Sequence, residues 1–152
     1  MPTQLRLQDI RVLKIEYSLN PIAADTSALE ELSQLPLQQQ KIEIKMNFRS
    51  EYITMENNQP ILKASQGVHV TGSSIPFTIY VEIGGLFSFD PQPPPDELDR
   101  LRHINCNAIL FPYARELVGD ICRRGGLPPV YLQPVNFVKL YEDGIFKSAP
   151  LQ

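Results

Sequence analysis

The side chains able to do chemistry are few. The chain has two histidines, His69 and His103, and two cysteines, Cys106 and Cys122. His103 and Cys106 stand three residues apart, a spacing that brings two side chains to one face of a helix and so mimics a nucleophile with its base. No third group orients the pair, and the favoured reading is a helix-end histidine beside a packed thiol. One histidine and one cysteine also fall short of the three or four ligands that zinc takes. There is no Walker loop, no dinucleotide fingerprint and no Gly-x-Ser-x-Gly. Gly84-Gly85 sits inside an alternating apolar pattern with no helix directly after it, which points to a bulge or a close backbone approach rather than a phosphate loop. No catalytic residue, metal or cofactor is assigned. The residues describe a binding protein, not an enzyme.

Composition narrows the class further. The chain has 152 residues, 43% hydrophobic, with a formal net charge of -3. That length suits one domain over residues 1–152 with a core of its own, and the apolar content is too high for disorder. Acids and bases are mixed along the chain, so the clustered basic face of a nucleic-acid binder is not expected. Arg123-Arg124 reads as a charged helix C-terminus. The opening Met1-Pro2-Thr3-Gln4 lacks the pattern of a secretory signal, and no run reaches the roughly 18 apolar residues of a membrane span. Two unpatterned cysteines fit a reducing, cytoplasmic setting.

The elements that must position a binding surface are strands first, helices later. In Leu5–Leu19 the odd positions are apolar except at Asp9 and Arg11, where Ile10 and Val12 take over; such a parity change predicts a bulge or a strand covered on both sides. Residues 21–36 read as a connection with a helical turn near Ala28–Leu32. From Lys41, Ile42, Ile44, Met46 and Phe48 alternate with polar residues, as in a half-buried antiparallel strand. Asn57-Asn58 and Gly72-Ser73-Ser74 bound a strand over Ile61–Val70, and Ile75 to Phe89 forms the last strand. The proline run 91–95 cannot be sheet interior. Asp96 is the expected N-cap of a helix over Glu97–Ile104, followed by a second over Ala108–Arg124 closed by Gly125-Gly126, with Pro112 in its first turn. A final helix is expected over Asn136–Phe146. On the second helix Phe111, Tyr113, Leu117 and Ile121 belong to an apolar surface far wider than the stripe of about 100° that one sheet requires. Those four are assigned to a subunit interface, with Phe111 also readable as core. Arg115-Glu116 reads as a structural ion pair or a subunit contact.

Four blocks then become recognisable: Gly84-Gly85-Leu86-Phe87-Ser88, Ile109-Leu-Phe-Pro-Tyr-Ala-Arg-Glu116, Arg124-Gly125-Gly126-Leu127-Pro128 and Pro134-Val135-Asn136-Phe137. In order and spacing they closely resemble the SecB export chaperones; residues 1–75 resemble them mainly in strand pattern. The resemblance implies an α+β fold, a four-stranded antiparallel sheet with helices on one face. It also implies subunits paired through a strand edge and helix, and two pairs stacked as a dimer of dimers. It implies an ATP-independent chaperone that holds unfolded precursor polypeptides for the SecA motor. The alternatives are a SecB-like chaperone dedicated to one client, and a small-molecule-binding domain with an enclosed cavity.

A holdase needs exposed apolar surface and free backbone groups. Phe87, Phe89, Phe137, Leu140, Tyr141 and Ile145 are the candidates for a client groove; for Phe87 and Phe137 core is the favoured alternative. For SecA docking, the resemblance places carboxylates on the solvent face of the sheet. Here Glu16 keeps one such acid, Asn20 and Tyr80 replace two others, and Glu82 stands two residues from Tyr80 on the same face. Weakened docking is the expectation, and the C-terminal residues Ala149-Pro150-Leu151-Gln152 carry no acidic tail.

Overall fold

The computed structural model describes residues 2–19, 42–54, 60–72, 77–127 and 130–148. Four strands, β1 (Gln4–Leu19), β2 (Ile42–Thr54), β3 (Pro60–Gly72) and β4 (Phe77–Asp90), form one antiparallel sheet in the order β1-β4-β3-β2. The expected connection at 21–36, Asn20, the turn at Asn57-Asn58 and the strand start at Ile75 lie outside the described residues. Leu62, Ala64, Val68 and Val70 of β3 are buried beside Phe87, Val81 and Ile79 of β4, and this row of cross-strand pairs is the floor of the core.

The parity change in β1 resolves into two bulges, between Leu7 and Asp9 and between Val12 and Lys14. Each extra residue turns the following side chains over. Two in series therefore return Ile10, Val12, Ile15 and Tyr17 to the helix-facing side, where their partners on β4 are Gly85, Ile83, Val81 and Ile79. Of the two readings of the double glycine, a bulge or a close approach, the second holds: β4 is not bulged there, and a Cβ at Gly85 would stand 3.0 Å from Leu110. Leu13 alone is sent to the other side, and a Cβ at Gly84 would stand 2.6 Å from its Cδ1.

The helical half departs from expectation. Helix α1 (Pro95–Arg100) starts with proline at N1, so Asp96 and Glu97 lie in its first turn rather than at the cap. It runs through a π-helical segment, Leu101–Asn105, into α2, Cys106–Arg124. Across the wide turn the Cys106 amide donates to the Leu101 carbonyl, and side chains meet nearby carbonyls: Asn107 Nδ2 donates to His103 O at 2.7 Å and Gln66 Nε2 to Asn107 O at 3.2 Å. There is no break at residues 105–107, so Pro112 lies inside α2 and not in a first turn. It is tolerated because Ala108 and Pro112 are both exposed, and water can meet the carbonyl that lost its amide. Gly126, at φ 72°, closes the helix, with Leu127 N–H donating to Cys122 O.

The expected last helix is split into α3 (Phe137–Glu142) and a 3-10 turn (Ile145–Ser148), divided at Gly144 with φ 77°. Asn136 caps α3 by accepting from the Lys139 amide at 3.1 Å. A chain of rings fastens this segment to β2: Phe111 to Phe137 at 6.0 Å, Phe137 to Phe48 at 5.9 Å and Phe48 to Phe146 at 5.3 Å, all edge-on. The His103 imidazole stacks on Phe146 at 4.8 Å, with Nδ1 3.4 Å from Asp99 Oδ1. The other Asp99 oxygen accepts from the Tyr141 hydroxyl at 2.7 Å. Burial pushes the His103 pKa down from 6.5, Asp99 opposing it only in part.

Two outcomes test this packing. A Cβ at Gly85 would meet Phe87 at 2.9 Å and Leu110 at 3.0 Å, both fully buried, whereas at Gly84 it meets the tip of exposed Leu13. Gly85→Ala should therefore cost about 1–3 kcal/mol in urea unfolding and Gly84→Ala clearly less; equal costs would contradict the packing. For His103, a depressed folded pKa means that the unfolded chain takes the proton first. Its contribution is in place above pH 6.5 and is lost as pH falls from there through the lower pKa of the folded state. The urea midpoint should drop from pH 7.5 to 5.5 by more in the wild type than in His103→Gln, and identical drops would refute a neutral, packed imidazole.

Candidate functional site

Helix α2 packs on β3 and β4 through Leu110, Ala114, Val118 and Cys122, all fully buried. The outer strands keep uncovered apolar side chains on the same helix-facing side. On β1 these are Val12, Ile15 and Tyr17, at 52%, 50% and 37% exposure; on β2 they are Ile44 and Tyr52, at 40% and 41%. A cleft lies against each edge strand.

The 410 Å³ cleft at β2 reaches both faces of the sheet: Phe48, Ser50, Arg102, His103, Asn107 and Phe146 line its helix side, and Leu13, Arg49, Glu51, Lys63, Ser65 and Glu82 its open side. Arg102 donates from Nε to Ser50 Oγ and from Nη2 to the Ser50 carbonyl at 3.1 Å, so the guanidinium caps that acceptor of the edge strand. The π-helical segment is what turns Arg102 toward β2. The β1 cleft, of 240 Å³, lies between Ile10 and Val12 of the strand and Tyr113, Glu116, Leu117 and Asp120 of α2. Asp120 is engaged by Arg124 at 2.9 Å and Arg123 at 3.5 Å, and Arg124 above all holds its carboxyl below the usual range. Arg115 and Glu116 are exposed and make no ion pair among the described residues.

Two of the groove candidates are core residues in this chain. Phe87 is fully buried because its parity on β4 points it at α2, and Phe137 is buried between Phe48 and Phe111. Phe89, Leu140 and Tyr141 pack against the core while half-buried, and Ile145 is 49% exposed. Of the four interface candidates, Phe111 is likewise core, Leu117 and Ile121 are half-buried, and Tyr113 is exposed. Phe48, Arg102 and Phe146 carry the β2 cleft, and the sequence reading assigned none of them a site role. Phe48 was on the apolar face of β2 by alternation, but alternation does not say what covers a face.

The opposite, open face of the sheet brings Glu16, Tyr80 and Glu82 together. Glu16 is paired with Tyr80 across the strands, and Lys14 with Glu82. The Lys14 ammonium lies 3.0 Å from Glu16 Oε1, which raises its pKa, and 5.7 Å above the Tyr80 ring. The Tyr80 hydroxyl donates to Glu82 Oε2 at 3.3 Å. Both carboxylates are thus engaged within the face. Lys14 was missed, although it stands two residues before Glu16 on the same side of the strand.

The remaining chemistry is quiet. Cys106 is fully buried and burial pushes its thiol up to about 12; Cys122 is pushed up by the same cause. Such thiols are protonated at neutral pH. His103 faces Phe146 and Asp99 while Cys106 is in the core, so the two do not make a nucleophile pair. Among the described residues no group of three metal-binding side chains gathers, and no helix is long and apolar enough to cross a membrane.

The family model described as preprotein translocase subunit SecB matches residues 15–147. The protein-export protein SecB of Rhodopseudomonas palustris (strain BisB5) is 33% identical over 112 residues, covering 74% of this chain and 70% of that protein. The corresponding protein of Acidithiobacillus ferrooxidans (strain ATCC 53993 / BNL-5-31) is 44% identical over 72 residues, 47% of this chain and 48% of its own. In fold, the chain is similar to a Mycobacterium tuberculosis SecB-like chaperone solved with a ChAD peptide from the HigA1 antitoxin. The TM-score is 0.56 at 20% identity, covering 86% of this chain and 90% of that one. With the four-stranded antiparallel sheet, its helices on one side and a family match over most of its length, this chain belongs to the SecB family of chaperones.

Proposed function

We propose that residues 1–152 act as one ATP-independent chaperone domain that binds unfolded polypeptides and has no catalytic activity of its own. The observation that carries this is the pair of apolar strips left uncovered on β1 and β2. At the β1 edge, Val12, Ile15, Tyr17, Tyr113 and Leu117 form a surface suited to a second copy, and pairs of such dimers would give a cytoplasmic tetramer. At the β2 edge, the cleft beside Leu140, Tyr141 and Ile145 joins apolar surface to an edge strand, the combination that takes up an extended client. The protein should suppress aggregation of an unfolded polypeptide without ATP and ignore the same polypeptide once native. Tyr141→Ala and Ile145→Asp should each weaken client binding by about fivefold or more, with light scattering still reporting a tetramer. A 17.2 kDa monomer at micromolar concentration, or loss of the tetramer in these variants, would overturn the arrangement.

A second reading, a SecB-like chaperone serving one client rather than general export, is favoured by the open face. Lys14 and Tyr80 leave Glu16 and Glu82 little uncompensated charge to present to SecA. Charge complementarity acts mainly on association rate and its salt sensitivity. Titrating SecA at two salt concentrations should show Tyr80→Glu and Lys14→Ala tightening binding, most at low salt, and Glu16→Ala weakening it. No response to any of the three would place SecA docking on another surface.

A further inference from the structure

The helix side of the β2 cleft has one feature that a purely apolar groove would lack. Arg102 is half-buried there, and among the described residues no carboxylate lies within ion-pair distance of it. Two of its N–H groups are used by Ser50, which fixes the fork without neutralising it. The nearest acid on its own helix, Asp99, is already held by Tyr141 and His103. His103 adds no positive charge, since burial keeps the ring neutral near pH 7. The charge of Arg102 reaches the exposed Tyr52, whose phenol it opposes burial in shifting. The rest of that wall is Phe48, Phe146, Ser50 and Asn107.

The other charged lining residues, Arg49, Glu51, Lys63 and Glu82, occupy open-face positions, where Glu51 stands opposite Lys63 and Glu82 opposite Lys14. Arg49 faces uncharged Ser65. On the helix side of the cleft Arg102 is therefore the one charged lining residue, in a wall that also holds Phe48 and Phe146. A half-buried guanidinium without an acid is a costly arrangement that an incoming carboxylate would relieve, through the charge-assisted hydrogen bonds that Arg forms best.

We propose that Arg102 makes the β2 cleft selective for extended client segments carrying an aspartate or glutamate next to an aromatic residue, the carboxylate pairing with the guanidinium and the ring lying against Phe48 and Phe146. This rests on the chaperone reading and adds a client class to the same cleft. An incoming carboxylate also competes with Ser50 for the fork, and release of the Ser50 carbonyl gives the client strand one more acceptor on the β2 edge.

The test uses the full chain and three fluorescent, unstructured peptides identical except for one residue beside a phenylalanine: Asp, Asn or Lys. The wild type should bind the Asp peptide about tenfold tighter than the Asn peptide, and the advantage should shrink with salt. Arg102→Gln should erase the difference between the Asp and Asn peptides, and Arg102→Glu should shift preference to the Lys peptide. Equal binding of all three peptides by the wild type, or an Asp preference that persists in a folded Arg102→Gln, would overturn the assignment while leaving the chaperone reading in place. Should Arg102→Gln fail to fold, the salt response of the wild type decides alone: Asp and Asn peptides responding alike would overturn it. Failure to bind any of the three peptides, or to suppress aggregation, would overturn both.

Discussion

One helix cannot cover four strands, and the rest of the molecule follows from that mismatch. The sheet is about 14 Å across at a strand spacing of roughly 4.8 Å, while a helix with its side chains spans about 10 Å. Helix α2 takes the middle of the sheet, β3 and β4, and Gly85 lets Leu110 close down on it. Val12, Ile15 and Tyr17 of β1 and Ile44 and Tyr52 of β2 are left beyond its reach. In an ordinary monomer such strips would invite aggregation. In the arrangement proposed above they would be the working surfaces, and the two differ. The β1 strip is bulged and flanked by α2; the β2 strip is shadowed by α3 and capped in part by Arg102.

The polar devices sit where the coverage ends. The π-helical segment rotates Arg102 onto β2 and places His103 under Phe146, and Asn107 and Gln66 supply donors to nearby carbonyls. A regular helix would carry the same residues at other angles. The aromatic chain from Phe111 to Phe146 then holds a short terminal helix that has too few residues to be stable alone. This segment borrows its order from β2, so the cleft and the element that covers it are coupled through Phe48.

On the open face the electrostatics run the other way. Glu16 and Glu82 point outward, yet Lys14 and Tyr80 answer them locally. Exposed pairs of this kind contribute little stability. Their consequence is for recognition, because a face whose charges are already answered steers a partner weakly.

The sequence by itself determined the strands, the apolar side of each, the end of α2 and the family. Alternation of period two and the glycine pair at 125–126 are local signals that packing had no reason to override. It also showed that α2 is wider in apolar surface than its own sheet requires. Only the tertiary structure decided what that surface and the phenylalanines do. Phe87 went to the core because α2 lands on it, and Phe111 of α2 and Phe137 of α3 because their rings meet each other and Phe48 of β2, while Tyr113 did not. The two bulges in β1 needed β4 opposite them to be counted, since a parity change in one strand cannot say how many residues were inserted. Pro112 inside a helix and the π-helical turn were beyond reach for the same reason. Local propensity favours a break at each, and the burial of Cys106, Leu110 and Ala114 against β3 and β4 overrode it.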